Sequence, residues 1–555
     1  MTGYVLRRSA LALGLLSALL AAGGAVLVAV GVPVWVPLAL SLLVVVAQWA
    51  LSPYLVQWLI PARELRRRAG GGYETDHVLG ELVTRRCVDA GVRQVRLGII
   101  DDGTPNAFTF GHHRGNARIY VTRGLLERLD ERELDAVVSH EVGHVRHNDV
   151  VVMAIAATVP LVLYYAYLAL RESRQQNAAV PAVVAFLGYL LSQFVVLALS
   201  RARELGADHW SCQVTGDGDA LCSALVKIGY GMGQVDAQRA SYAAEVARSK
   251  DKDRKKAYAK EQRHDTRLRA AGMLGIADTQ QGANVLAAAE QGLEPREVVG
   301  ALRWDTCNPW ARFLQLFSTH PLVVHRIAAL ESSGLPGAPQ HWSATEVASS
   351  CAGPEVTRAR RRFPVELVVR YAPLAAGLVA VAAWGTHSYV LLAQAALVAG
   401  IALFVRAAFA HPLGQPRPVD RVTSLLERLD ASPVTGLPVS IRGRVTGRGM
   451  PGYVLSPDLV VQDDSGFVAV LYTQPWPFAR TLFGLLRVPE LLDQEVVVRG
   501  WYRRAPSPVV ELRELVPATG RRVRGWTWIA AYVLGAVLAL GGGAAVLLQL
   551  AFGTG

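Results

Sequence analysis

Seven long apolar stretches constrain the fold of this 555-residue chain more than any other feature of its sequence. A helix needs about 20 consecutive, mostly apolar residues to cross a bilayer. Because helices of soluble proteins rarely run so far without a charged face, we predict a mainly α integral membrane protein with about seven transmembrane helices. The stretches are residues 9–31, 33–60, 150–170, 181–200, 365–384, 388–410 and 526–552.

The charge composition agrees with a membrane protein. Only 18% of the residues are charged, compared with about 25% in soluble domains. The first apolar stretch follows Arg7 and Arg8, an arrangement that also occurs in secretory signal peptides. This stretch is longer than the apolar part of a typical signal and runs almost directly into the second one, so we predict a retained membrane anchor.

Clusters of arginine flank the apolar stretches and predict their orientation. Lys and Arg concentrate in cytoplasmic loops, so we predict a multi-pass protein of the cytoplasmic membrane with its N-terminus and large polar segments inside and its C-terminus outside. The net charge of +12 is also typical of nucleic-acid binding, but no basic and aromatic stripe accompanies it, so nucleic acid is not an expected partner. The clusters are Arg63, Arg66, Arg67 and Arg68; Arg201 and Arg203; Arg358, Arg360, Arg361 and Arg362; and Arg521, Arg522 and Arg524.

The five cysteines are scattered, odd in number and never spaced as CxxC. This pattern supports neither a disulfide framework nor a cysteine-based zinc site. All of them fall in segments predicted to be cytoplasmic, where thiols stay reduced. We therefore expect free thiols at Cys87, Cys212, Cys222, Cys307 and Cys351.

Residues 94–122 predict three β-strands. Residues 95–100 are rich in β-forming residues, and apolar and polar residues alternate at 106–111 and 117–122. A helix is predicted to follow. Asp130 is a favourable N-cap residue, and Glu133, three positions later, completes a capping-box pattern.

This predicted helix carries the motif His140-Glu141-Val142-Gly143-His144. Residues four apart lie on one helical face, so both imidazoles can reach a single zinc ion. Glu141 projects beside them and can take a proton from a water molecule that the ion activates. Asp149, at the end of the helix, either lies near the metal or caps the next apolar helix.

A catalytic zinc ion usually has three protein ligands, and the third must come from outside the motif. His147 follows His144 by three residues, which does not match the six-residue spacing of the metzincins. Glu204 and Asp208 are better candidates, because they lie four apart on a predicted helix after the fourth apolar stretch. The third and fourth stretches form a predicted hairpin that returns the chain to the side of the motif. Glu204 could bind zinc, and Asp208 could orient a ligand imidazole.

Taken in order, these residues resemble the integral-membrane zinc metallopeptidases, the family of the HtpX heat-shock protease and the CAAX prenyl endopeptidases. The resemblance covers about residues 60–332, and its specificity comes from several motifs in a fixed order. These motifs are Asn106-Ala107-Phe108, Thr122-x-Gly124-Leu125-Leu126, His140-Glu141-Val142-Gly143-His144, Asn148-Asp149, Ser200-Arg201-x-x-Glu204-x-x-Ala207-Asp208 and Ser318-Thr319-His320-Pro321 with Arg326-Ile327.

The resemblance implies a zincin-like α+β catalytic domain with one catalytic Zn²⁺ ion. His140, His144 and Glu204 would hold the ion. Glu141 would act as the general base and then as the general acid toward the leaving amine. Asp208 would orient a ligand histidine, His140.

The resemblance also implies residues that contact the substrate. Asn106, Ala107 and Phe108 would lie on an edge strand that pairs with an extended polypeptide. His320 would stabilise the oxyanion of the tetrahedral intermediate, and Arg326 would support that wall of the cleft. Structural roles stay open for three of these residues: a turn for Asn106, a helix start for His320 before Pro321, and a surface salt bridge for Arg326.

The segment after residue 365 departs from the shorter HtpX-like pattern. It adds two apolar stretches, a polar segment and a last apolar stretch. Five short strands with glycine-containing turns in the polar segment predict a small OB-like barrel. We interpret it as a structural or regulatory module near the membrane. The predicted strands are residues 439–445, 459–463, 467–472, 495–502 and 509–512.

These predictions combine into one organisation of the chain. Residues 1–60 form two transmembrane helices, 61–149 the catalytic part with the zinc motif, 150–200 a transmembrane hairpin and 201–364 the second catalytic part with the third zinc ligand. Residues 365–410 form another hairpin, 411–525 the OB-like domain and 526–555 the last transmembrane helix. The catalytic site and the OB-like domain are both expected on the cytoplasmic side.

The predicted function is that of a zinc metalloendopeptidase that hydrolyses peptide bonds of membrane or misfolded proteins, as in HtpX-like quality control. Two alternatives stay open: a dedicated processing protease with few substrates, and a membrane scaffold with an inactive or structural zinc site. Glu141 argues against the scaffold, because a structural zinc site needs no base and closes its fourth coordination position.

Overall fold

A computed structural model of the chain describes residues 3–29, 33, 35–60, 62–68, 71–75, 77–103, 105–172, 178–228, 302–385, 387–448, 457–505 and 508–552. These residues form two compact units. The first unit contains the described residues up to 228 together with 313–346, and the second contains 302–312 and 347–552. The predicted segment 201–364 therefore contributes residues to both units.

Helices dominate both units. In chain order they are α1 (Gly3–Ala29), α2 (Trp35–Leu59), α3 (Leu79–Ala90), α4 (Arg123–Arg128), α5 (Glu131–His147), α6 (Asp149–Glu172), α7 (Ala179–Thr215), α8 (Pro309–Gln315), α9 (Val323–Glu331), α10 (Ala344–Ser349), α11 (Pro354–Gly385), α12 (Tyr389–Ala410), α13 (Pro477–Leu486), α14 (Val488–Leu491) and α15 (Thr527–Phe552).

Six of the described helices are long and apolar enough to cross a membrane: α2, α6, α7, α11, α12 and α15. They account for six of the seven predicted spans. The first predicted span also forms a helix, α1, but the apolar part found within it is only Leu15–Leu27. The fold is therefore that of a mainly helical chain with six candidate membrane spans.

Helix α7 is longer than predicted. The predicted hairpin ended at residue 200, whereas the helix continues to Thr215 and is stopped by Gly216, whose φ of 69° lies in the left-handed region. No proline interrupts residues 201–215, so the helical hydrogen bonding continues beyond the apolar part. As a result, one rigid helix carries both an apolar segment and Glu204 with Asp208.

A four-stranded sheet lies beside the motif helix. Its strands are β1 (Arg63–Glu64), β2 (Arg96–Ile100), β3 (Ala107–Gly111) and β4 (Ala117–Thr122), in the order β1-β2-β4-β3. Strands β2 and β4 are parallel, and β3 pairs antiparallel with β4. The three predicted strands are thus present, and β3 is at one edge of the sheet.

Helix α5 begins as its sequence predicts. The Asp130 side chain accepts a hydrogen bond from the Glu133 backbone N–H, and the Glu133 carboxylate accepts one from the Asp130 N–H. Such a capping box satisfies two backbone donors that have no partner within the helix. The helix ends at His147, and the residue that caps it, Asn148, adopts a left-handed φ of 57°.

The second unit contains a closed five-stranded barrel. Strand β6 (Leu437–Arg448) pairs with β7 (Leu459–Gln462), β7 with β8 (Phe467–Leu471), β8 with β10 (Pro508–Pro517), β10 with β9 (Glu495–Arg504), and β9 again with β6. The third and fifth strands are parallel, and helices α13 and α14 connect the third to the fourth. The five-stranded barrel predicted for this segment is therefore present. Short strands β5 (Arg417–Val419) and β11 (Val523–Arg524) extend the sheet.

The apolar helices of the second unit pack through small residues. A Cβ atom at Gly400 of α12 would lie 2.1 Å from the backbone nitrogen of Ala539 in α15. Glycine therefore lets the two backbones approach closely, as is common between helices in membranes.

The prediction of five free thiols is wrong for two cysteines. Cys307 and Cys351 form a disulfide within the second unit, whereas Cys87, Cys212 and Cys222 are free and buried. Forty-four residues separate the bonded pair, and no local spacing motif marks it. The pairing depends on the tertiary structure, which the cysteine pattern does not reveal.

Candidate metal centre

Three side chains on α5 and α7 converge on one point. The two histidines of the motif and Glu204 each offer a ligand atom, and these atoms lie within 4.8 Å of one another. Nε2 of His140 lies 3.1 Å from Nε2 of His144. The Glu204 carboxylate oxygens lie 3.6 Å and 3.5 Å from these two nitrogens. The ligand set inferred from the sequence is therefore assembled in space.

Carboxylates fix the orientation of both imidazoles. Nδ1 of His140 lies 2.9 Å from Asp208 Oδ1, and Nδ1 of His144 lies 2.7 Å from Asp149 Oδ2. Since a carboxylate accepts hydrogen bonds, each Nδ1 carries the proton and each Nε2 presents a lone pair. The two Nε2 atoms lie 3.1 Å apart, so in their neutral form both imidazoles can direct a lone pair at one cation.

The dimensions and the chemistry of the three donors fit a zinc ion. Ligands about 2.0–2.1 Å from a tetrahedral zinc are about 3.4 Å apart, close to the distances between the ligand atoms of His140, His144 and Glu204. One carboxylate oxygen of Glu204, Oε2, is buried without a hydrogen-bond partner. Two histidines and one glutamate are a common ligand set of catalytic zinc, in which the fourth position stays open.

The surroundings of His144 favour a positive charge. Burial lowers the pKa of this imidazole, but the nearby Asp149 and Glu204 carboxylates outweigh burial and raise it to about 9. A bound metal ion would supply the same charge and displace the proton.

An arginine holds each orienting carboxylate from behind. Arg326 donates to Asp208 through Nε at 2.8 Å and through Nη2 at 2.5 Å, and only 1% of Arg326 is exposed. Arg203 donates to Asp149 through Nε and Nη2, both directed at Oδ1. Arg326 thus lies behind Asp208, which contacts the candidate metal ligand His140, and Asp149 has the equivalent position beside His144.

Glu141 lies next to the ligands and is held from the sheet. Its carboxylate Oε2 accepts a hydrogen bond of 2.6 Å from Thr109 Oγ1 on strand β3, and 2% of Glu141 is exposed. Thr109 was not predicted as a site residue. The sequence places Thr109 on the predicted strand, directly after Phe108. Its contact with Glu141 could not be predicted, because 32 residues separate the two.

The residues predicted to bind substrate lie on or next to edge strand β3. Ala107 and Phe108 belong to β3, and their side chains are buried. Phe108 packs against Tyr120 on the neighbouring strand β4. Asn106 precedes the strand, with its backbone N–H and carbonyl bonded to Thr122. Any contact with substrate would therefore use the backbone of β3.

His320 approaches the metal centre from a different segment. Its Nδ1 lies 3.2 Å from Glu204 Oε2, and the side chain is mostly buried. Helix α9 begins at Val323, so Pro321 is not its first residue and a simple helix start does not explain the motif. Arg201 donates to the carbonyl of Ser318 at 2.7 Å and thereby anchors the loop before His320.

Gly143 allows α5 and α7 to approach each other. A Cβ atom at this position would lie 3.2 Å from Ala207 Cα and 3.0 Å from Trp210 Cδ1. Both distances are shorter than ordinary van der Waals contacts. Ala207 and Trp210 belong to α7, the helix that also carries Glu204. A larger residue at Gly143 would therefore push apart the two helices that carry the candidate metal ligands.

Comparison with solved structures gives a limited similarity. The crystal structure of Ste24p from S. mikatae is 17% identical, with a TM-score of 0.28, over 38% of this chain and 55% of that chain. A TM-score this low does not establish a shared fold.

Comparison with protein families and relatives is more specific. Residues 77–333 match the sequence model of peptidase family M48. A protease HtpX homolog of Ralstonia pickettii is 38% identical over 25% of this chain, which is 51% of the relative, so the match spans about half of that protein. A protease HtpX homolog of Methanothermobacter thermautotrophicus is 34% identical over 215 residues, which are 39% of this chain and 80% of the relative. The chain therefore belongs to peptidase family M48, the zinc metallopeptidase family of the HtpX proteases.

Proposed function

We propose that the protein is a membrane-embedded zinc endopeptidase that hydrolyses peptide bonds of membrane or misfolded proteins. One observation carries this proposal. His140, His144 and Glu204 converge on one point, with Glu141 beside them. A structural site would have no use for a carboxylate held in this way, so the geometry favours catalysis over the scaffold alternative.

When bound, a zinc ion supplies a Lewis acid that polarises the scissile carbonyl and acidifies a water molecule. Glu141 takes the proton of the attacking water and later delivers it to the leaving amine. The hydrogen bond from Thr109 holds one carboxylate oxygen of Glu141. The other oxygen is then available for the proton transfer.

We assign stabilisation of the oxyanion to His320. Its position next to Glu204 puts the imidazole at the edge of the ligand triangle. A donor there would face the carbonyl oxygen as negative charge develops on it. Asp208 with Arg326 and Asp149 with Arg203 would act as positioning groups that hold the two histidine ligands.

Strand β3 would bind the substrate. It is at the edge of its sheet, so an extended polypeptide could add to it through main-chain hydrogen bonds. Thr109 of the same strand touches Glu141, so a peptide that pairs with β3 would lie beside the base. Main-chain pairing is largely independent of sequence, which suits a broad set of damaged proteins better than a dedicated processing role.

The test compares Glu141→Gln with the wild type, using the full-length protein and an unfolded or membrane-protein substrate. We expect the variant to keep its zinc and to lose cleavage by about 10²–10⁴-fold, the range for a general acid–base group. Glu131→Gln is the matched control, because Glu131 is exposed at the start of the same helix. Undiminished cleavage by Glu141→Gln would remove this residue from the mechanism.

We also propose that the catalytic site and the barrel face the cytoplasm, as the arginine clusters predict. The Cys307–Cys351 disulfide is the opposing observation, because disulfides persist mainly in oxidising compartments.

A further inference from the structure

A cavity of about 890 Å³ lies within the second unit, and its lining includes none of the residues assigned to catalysis. Its wall is formed by the first turns of α11, by the segment that follows α12 and by the start of barrel strand β6. This volume is within the range of about 300–1,000 Å³ that is usual for small-ligand sites.

The lining of this cavity is strongly basic. Five arginines and two aspartates line the cavity, which gives an excess of three positive charges. The arginines are Arg358, Arg362, Arg417, Arg421 and Arg428, and the aspartates are Asp420 and Asp430. Asp430 is buried and accepts from Arg428 at 3.1 Å, while Arg358 lies 4.0 Å away from it. The positive charge therefore exceeds what these aspartates can neutralise.

Three of the arginines are free to bind a ligand. Arg362, Arg417 and Arg421 are exposed, and within the described part of the chain none of them forms an ion pair with a carboxylate. Guanidinium groups bind phosphate oxygens through two parallel hydrogen bonds. Several unpaired guanidinium groups around one cavity are thus suited to a phosphate group.

The position along the chain places this cavity at the membrane surface. Arg362 precedes the apolar stretch at 365–384 by three residues, which is about 5 Å along a helix. Arg417 follows the last residue of α12, Ala410, by seven residues. The headgroup layer is several ångströms deep on each side of the hydrocarbon core, so the arginines lie at its level.

We propose that this cavity binds the phosphate group of an anionic ligand, and that the headgroup of an anionic phospholipid is its natural source. Basic pockets at the surface ends of membrane helices are suited to such headgroups. A soluble phosphate compound would use the same arginines and is the other source that the experiment distinguishes. The proposal is independent of the peptidase chemistry.

The test is calorimetric titration of the full-length protein in detergent with dihexanoyl phosphatidylglycerol, dihexanoyl phosphatidylcholine and inorganic phosphate. The variant combines Arg362→Gln, Arg417→Gln and Arg421→Gln. The matched control removes three exposed arginines of the same unit that do not line the cavity, by Arg442→Gln, Arg444→Gln and Arg521→Gln.

We expect the wild type to bind phosphatidylglycerol and not phosphatidylcholine, the cavity variant to bind at least about tenfold more weakly, and the control to bind as the wild type does. Binding of inorganic phosphate as tight as that of phosphatidylglycerol would support the same site with a soluble source. Equal weakening in both triple variants, no change in the cavity variant, or no binding of either anion would overturn the proposal. If the triple cavity variant has no melting transition, Arg421→Gln alone is measured against the same criterion.

Discussion

Each histidine ligand is supported by a carboxylate and then by an arginine. In the hydrogen-bonded series His140–Asp208–Arg326, all three side chains are buried. Removing a carboxylate from such a series leaves a buried guanidinium without its partner, which is costly in a low-dielectric site. These two sets of contacts therefore hold both imidazoles in place. We expect the geometry of the proposed metal site to depend on residues that do not themselves bind the metal.

Asp149→Asn tests this support at the second histidine. The amide keeps the size of the side chain but loses the charge that faces His144 and Arg203. We expect zinc affinity to fall by about 10–100-fold, as is usual for partners of ligand histidines, in competition with a chelator. Asp101→Asn is the control, because Asp101 is exposed and pairs with the exposed Arg123. Unchanged affinity in Asp149→Asn would limit Asp149 to capping α6.

The sequence identifies residues whose role follows from local spacing. His140, Glu141 and His144 lie within one helical turn, so their convergence could be predicted directly. Thr109 and Arg203 could not be predicted in this way, because their contacts with Glu141 and Asp149 span 32 and 54 residues. Such contacts depend on how the strand and the helices pack.

Helices α5 and α7 meet at Gly143, and we expect this contact to set the separation of the proposed zinc ligands. The Gly143→Val substitution places a branched side chain where even a Cβ atom would lie 3.2 Å from Ala207 Cα. We expect the helices to move apart and zinc affinity to decrease by at least about tenfold, since overpacking typically costs 1–3 kcal/mol. Chelator competition measures the change.

Gly377→Val is the matched control for this substitution. Gly377 is also helical, but nothing lies within 4 Å of a Cβ atom there. The control should bind zinc as the wild type does. If Gly143→Val also binds normally, the contact between α5 and α7 does not determine the ligand spacing.

Helices and strands are predicted best where a sequence pattern of a few neighbouring residues defines them. The β-rich run of β2, the alternation in β3 and β4 and the cap at Asp130 are visible in a few residues. The length of α7 was underestimated because the change from apolar to polar residues at position 200 indicates the end of a span, not the end of a helix. The disulfide between Cys307 and Cys351 had no local signal.

The orientation of the whole chain can be measured with introduced cysteines. The arginine clusters predict that Glu131→Cys in intact cells resists a membrane-impermeant maleimide, and that it reacts after lysis. His387→Cys, in the short connection between α11 and α12, should react in intact cells. The three native free cysteines are buried, and burial raises the pKa of the Cys87 and Cys222 thiols, so they contribute little background.

The opposite labelling pattern would place the catalytic unit outside the cytoplasm. In that case the Cys307–Cys351 disulfide would lie in an oxidising compartment, where such bonds persist. The arginine clusters would then need a different explanation, such as attraction to anionic lipid headgroups.

The proposed site at His140, His144 and Glu204 predicts how much zinc the full-length protein binds and through which ligand atoms. A purified full-length protein should contain one zinc ion per chain. X-ray absorption at the zinc edge should show two imidazole nitrogens and carboxylate oxygen at about 2.0–2.2 Å, with no sulfur. A preparation that cannot be loaded with zinc, or a spectrum dominated by sulfur ligands at about 2.3 Å, would contradict the site formed by His140, His144 and Glu204.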